Sequence, residues 1–97
     1  MEFTVILSPE PDAYCASVPA MPGAASWGST RDEALSNIAE AMEGWIEVGR
    51  ERDSRPIPET PELIAKMLRD VLEDRAEEGL DSVVETARVS VRVPVLA

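Results

Sequence analysis

The apolar residues of this chain recur first with a period of two, then of three and four, then of two again. That order limits the folds open to it. Phe3, Val5 and Leu7 alternate with Glu2, Thr4 and Ile6, which reads as a strand with one well-buried face. Pro9 and Pro11 interrupt the pattern over residues 8–12, because proline cannot donate to a ladder. Tyr14, Ala16 and Val18 then alternate with Cys15 and Ser17, so the two runs predict an antiparallel hairpin. A loop with Pro19, Pro22 and Gly23 follows, and residues 24–28 read as a shorter third strand with Trp27 as its bulky member.

The period then becomes helical. Thr30 followed by Glu33 is a capping box, and Asp32 and Glu33 suit the positive end of a helix dipole. Leu35, Ile38, Met42, Trp45 and Ile46 form an apolar stripe, with Glu40, Glu43 and Glu47 between them and an end expected near Gly49. Residues 50–58, charged and carrying Pro56 and Pro58, predict a loop. Thr60 before Pro61 is a second N-cap; Leu63, Ile64, Met67, Leu68, Val71 and Leu72 form its stripe, and Gly79 is a suitable stop, placing a helix over about 60–79. The stripe is expected to be buried, on the chain's own sheet or in a homodimer. Val89, Val91, Val93 and Val95 restore the period of two, so a last strand is expected over about 83–96, with Pro94 at an edge or beyond pairing. The order β-β-β-α-α-β is α+β with an antiparallel sheet, and 97 residues make one domain, 1–97.

Composition removes whole classes of function. The chain has no histidine and one cysteine, which excludes imidazole-based triads, an internal disulfide and multi-thiolate metal sites. No carboxylates cluster at strand ends in the spacing a divalent metal needs, so neither catalysis, metal nor cofactor is expected. Nineteen acids against nine bases give a net charge of −10. Residues 1–58 hold 10 acids and 4 bases and residues 59–97 hold 9 and 5, so no basic arm hides in the average. Residues 59–79 alone carry seven acids against Lys66, Arg69 and Arg75, which phosphates would repel. Direct nucleic-acid binding is therefore not expected; a basic protein is the natural complement. No apolar run approaches the roughly 20 residues a bilayer span needs, and Met1 leads directly into a strand pattern, so a cytoplasmic protein is expected. Trp27 and Trp45 are read as core residues and Cys15 as a small filler on its strand.

Residues 14–41 carry a more specific pattern. Tyr14, the P-x-x-P-G loop of Pro19, Pro22 and Gly23, and G-x-T-x-x-E-A from Gly28 through Thr30, Glu33 and Ala34 resemble the HicB antitoxin family. Asn37, Glu40 and Ala41, the Pro56-Ile57-Pro58 segment and the closing Val91-Arg92-Val93-Pro94 are similar to that family as well. The resemblance covers residues 1–58 well and 83–97 moderately. Ala24 and Ser29 depart from it, standing where cysteine and aspartate are common. So do residues 59–82, a helix inserted where most relatives run directly into the last strand. The resemblance implies a partial RNase H-like fold and a protein-binding antitoxin, not an enzyme. Such a protein would neutralise a small basic HicA-like mRNA interferase by covering its active site. It also gives Glu40, Glu43 and Glu47 as partner-binding candidates, and Pro19, Pro22, Gly23, Gly28, Thr30 and Glu33 as the family's loop and helix cap. A C-terminal DNA-binding module, found in members that repress transcription, is not expected. A homodimer or tetramer is. The alternative is an orphan HicB-like homo-oligomer with a regulatory or small-ligand-binding role.

Overall fold

In a computed structural model, residues 1–92 of the chain are described. The elements follow the expected order: β1 (Glu2–Glu10), β2 (Ala13–Ser17), β3 (Ala25–Gly28), α1 (Arg31–Glu51), α2 (Pro61–Glu77) and β4 (Glu85–Ser90). The strands form one antiparallel sheet in the order β3-β2-β1-β4. The last strand thus returns beside the first, with Phe3 opposite Val89 and Val5 opposite Ala87. Val93, Pro94 and Val95, expected in the last strand, lie outside the described residues.

Register decides which helix each side chain meets. Leu7 lies opposite Ala16, so Phe3, Val5, Leu7, Ala16 and Val18 share one face. Ala34, Ile38, Met42 and Ile46 of α1 pack on that face and complete the core, with Val91 buried and Val89 half-buried at its margin. Each fully buried Leu, Ile, Val or Met contributes about 1.5–3 kcal/mol relative to exposure. The other face holds Thr4, Ile6, Ser8, Cys15, Ser17 and Trp27, and α2 lies along β1 there. Both faces of β1 are therefore covered: Thr4 and Ile6 are buried, as Val5 is on the opposite face.

Two departures from the expected elements have local causes. β1 does not stop before Pro9 but runs on to Glu10, closing a two-residue hairpin at Pro11 and Asp12. The Pro9 carbonyl accepts from Arg75, so that residue's backbone groups point away from β2, to the side that β4 does not reach, since its first residue, Glu85, lies opposite Leu7. The proline there removes no ladder bond. α1 runs two residues past Gly49, which is buried inside the helix: a Cβ there would lie 2.7 Å from the Ser54 carbonyl oxygen. Gly79, at φ 76°, does end the second helix as expected.

The α2 stripe is half-buried along its whole length, and Arg75 is the one fully buried residue of the helix. Two polar clasps hold α2 down. At its start Glu59 accepts from the Thr4 backbone N–H, which β2 does not reach, and from Arg88 Nη1 at 2.6 Å. In its last turn Arg75 donates to Ser8 Oγ at 2.7 Å, to the Pro9 carbonyl, and to Asp81 Oδ1 at 2.6 Å. Among the described residues no helix is long and apolar enough to cross a membrane.

Candidate functional site

The motif residues turn out to be structural. In the P-x-x-P-G loop Pro19, Ala20 and Met21 are buried over the end of the core, while Pro22 and Gly23 are exposed at the tip. Gly23 takes φ 89°, which the turn closed by Ala24 N–H on the Met21 carbonyl requires. The Pro22 carbonyl accepts from Trp45 Nε1 at 3.0 Å, tying the loop to α1. Gly28 faces α1 so closely that a Cβ would sit 2.5 Å from the Ala34 nitrogen. Thr30 caps the helix as expected, accepting from Glu33 N–H at 3.1 Å. The Glu33 carboxylate reaches one residue further back than a capping box predicts, to Ser29 N–H at 3.1 Å. Asn37 donates to the Trp27 carbonyl at 2.8 Å and fixes α1 against β3.

Glu40, Glu43 and Glu47 lie on the outer side of α1, exposed, and none is in an ion pair with another described residue. They form an acidic stripe directed at solvent. Trp45 is half-buried against the core as expected, but Trp27 is not a core residue: it is 64% exposed. Its register explains this, since Trp27 lies opposite Cys15 on the face turned away from α1. The signal was present in the sequence as Gly28. A residue with no room for a side chain against the helix forces its neighbour to point the other way.

On that second face α2 covers the β1 lane and leaves β2 and β3 open. A cleft of about 430 Å³ results, floored by Ile6, Cys15 and Ser17 and walled by Trp27 on one side and Val71 and Arg75 on the other. Glu10, Asp74 and Glu78 stand around it. The Cys15 thiol donates to Glu10 Oε2 at 3.1 Å; burial foremost, then that carboxylate, push its pKa up to about 11. It is protonated at neutral pH and a poor nucleophile. Among the described residues no cluster of carboxylates and thiols could hold a metal ion. What the surface offers is binding: an apolar floor, an exposed indole and carboxylates around them.

The sequence matches the model of the family described as HicB-like antitoxin of bacterial toxin–antitoxin system over residues 3–75, and the chain belongs to that family. It is 30% identical to the N-terminal domain of the Burkholderia pseudomallei antitoxin HicB, with a TM-score of 0.63 over 96% of this chain and 100% of that one. An alignment of that extent takes in α2 together with the sheet. The longer B. pseudomallei HicB is 28% identical, with a TM-score of 0.63 over all of this chain and 75% of that one. A chain of the HicA3 and HicB3 toxin–antitoxin complex shares the fold at 18% identity, with a TM-score of 0.64 over 96% of this chain and 100% of its own. A UPF0150 protein of Thermoplasma acidophilum is 46% identical over 48 residues, 48% of this chain and 70% of that one.

Proposed function

We propose that this chain is the antitoxin of a toxin–antitoxin pair. It binds a small, basic HicA-like mRNA interferase and stops RNA cleavage by covering the active site. The observation that carries this reading is membership of the HicB-like antitoxin family over residues 3–75. Two further facts support it. The same fold occurs in a complex of HicA3 with HicB3. The net charge of −10, with an unpaired acidic stripe of Glu40, Glu43 and Glu47, would draw in a basic partner. In this reading the protein is cytoplasmic and does no chemistry itself; occlusion needs none of the imidazole or activated thiol the chain lacks. The acidic stripe contributes mainly to encounter, so its effect is on association rate and fades as salt screens it.

The test is a short basic protein with a histidine, encoded beside this chain. Alone, it should cleave RNA; with an equimolar amount of this chain, cleavage should stop. Unchanged cleavage at equimolar antitoxin would overturn the reading.

A specific observation also favours self-association. The α2 stripe is only half-buried, and β4 occupies an edge of the sheet. A homo-oligomer covering both is compatible with either the antitoxin or an orphan regulatory role.

A further inference from the structure

We infer that the cleft between α2 and the β2–β3 lane is a docking groove for a basic segment of a protein partner, one that inserts an apolar side chain beside Trp27. This rests on the reading of the chain as a protein-binding module and names the surface it uses. Three observations meet there. Trp27 is 64% exposed although it is one of the largest apolar side chains in the chain, and tryptophan is one of the residues enriched among the anchors of protein interfaces. The floor beneath it is mostly apolar and closed, with Ile6 only 1% exposed, and a cleft of about 430 Å³ accommodates one or two side chains. Among the described residues, the charge there that is not engaged in an ion pair is negative. Glu10, Asp74 and Glu78 border the groove, while the cation that also lines it, Arg75, spends its donors on Ser8, Pro9 and Asp81.

An incoming lysine or arginine therefore meets carboxylates with no competing free cation at the groove among the described residues. An apolar residue next to it removes the Trp27 indole and the half-buried Val71 side chain from water, above the already buried Ile6. A neutral or acidic segment would gain the second contact but not the first. The outer stripe of Glu40, Glu43 and Glu47 lies on the other side of the sheet, on α1, so the two acidic surfaces can be separated by mutation. Steering belongs to the stripe and retention to the groove, which places the groove's effect in the dissociation rate.

The experiment uses the full chain with Trp45→Phe, so that Trp27 is the one indole present, and a labelled twelve-residue peptide of alternating lysine and leucine as the probe. Binding should shift Trp27 emission to the blue and protect it from acrylamide. Oligolysine of the same length should produce neither effect. In anisotropy, Trp27→Ala and the triple change Glu10→Gln, Asp74→Asn, Glu78→Gln should each weaken peptide binding by about tenfold or more, as loss of an interface anchor does. Changing Glu40, Glu43 and Glu47 to Gln should leave the dissociation rate as it was. Circular dichroism establishes that each variant is folded. Peptide affinity unaffected by Trp27→Ala, or no binding of the lysine–leucine peptide at all, overturns the groove. Neither result touches RNA cleavage by a toxin, so the antitoxin reading stands or falls separately.

Discussion

Arg75 and Glu59 show how much of this fold depends on single polar side chains finding stray backbone groups. Arg75 is 4% exposed and holds the Pro9 carbonyl, the Ser8 hydroxyl and Asp81 together. Removing it leaves half-buried acceptors without a donor, which costs about 1–3 kcal/mol. Arg75→Ala should lower the thermal midpoint by roughly 4–8 °C per kcal/mol lost in a domain of this size, read by calorimetry. A midpoint within a degree of the parent would show that the clasp adds nothing. Glu59 makes the stability depend on pH. Burial pushes its carboxyl up, but the Thr4 N–H and the Arg88 guanidinium outweigh that and hold it below the usual value of 4.5. Asp81 is likewise held below 3.8, by Arg75 first and then by Val83 N–H. A carboxyl depressed in the folded state stabilises fully above its unfolded pKa, and that stability is lost as pH falls through the folded one. Urea midpoints should therefore hold from pH 7 down to about 5 and decline below about 4.5. Glu59→Gln should start lower and decline less; a parallel decline would show that Glu59 is not the titrating group. Of these residues the sequence announced only the caps. Thr30 and Thr60 precede apolar stripes and were legible, whereas Glu59 and Arg75 act across 55 and 66 positions of sequence, which no local pattern records. Trp27 was misread because alternation says that two faces exist, not which helix covers each.

At the scale of elements, periodicity carried nearly everything. Six segments appear in the expected order and type, since each has enough apolar residues at one spacing to define a face. The boundaries that moved are those set by tertiary contacts. α1 continues past Gly49 because that glycine serves a close approach by Ser54 and not a left-handed turn. β1 passes through Pro9 because no strand lies on the side where its N–H would have pointed. The depth of burial on α2 was not legible either: its stripe is wide enough for two contacts, and a single sheet lane satisfies one of them. Two glycine substitutions test this account of packing. In Gly28→Ala the new methyl would meet the α1 backbone at 2.5 Å, and backbone cannot swing aside as a side chain can. It should destabilise by about 1–3 kcal/mol. Gly44→Ala, exposed inside α1 with nothing within 4 Å, should stabilise by about 0.5–1 kcal/mol through helix propensity. Chemical denaturation of both proteins gives the signs; a Gly28→Ala protein as stable as the parent would mean that β3 and α1 are not in this close contact.

For the whole molecule, the open question is what covers the surface that a chain of 97 residues leaves half-finished. Folding β4 against β1 already hides Val91 and half-hides Val89, so a second subunit is not needed to bury the strand. The other half of the problem persists. β4 is an edge, and an edge strand with free backbone groups pairs readily with another like it. Val83, at the approach to that strand, is 58% exposed, and the α2 stripe is half-covered. A two-fold pairing of β4 edges would continue the sheet across two chains and bring the second-face surfaces together, adding core to a small domain. The register shows how to block it without unfolding the chain. Odd-numbered Val89 and Ala87 face Phe3 and Val5 in the ladder, so the Thr86 N–H points outward, away from β1. Proline is tolerated at such a position and leaves nothing for a second strand to accept from. Sedimentation should find the parent protein as a homodimer or a dimer of dimers, and Thr86→Pro as a folded monomer. A monomeric parent would sink the proposal; a dimer that survives Thr86→Pro would move the interface from the β4 edge to the face of α2.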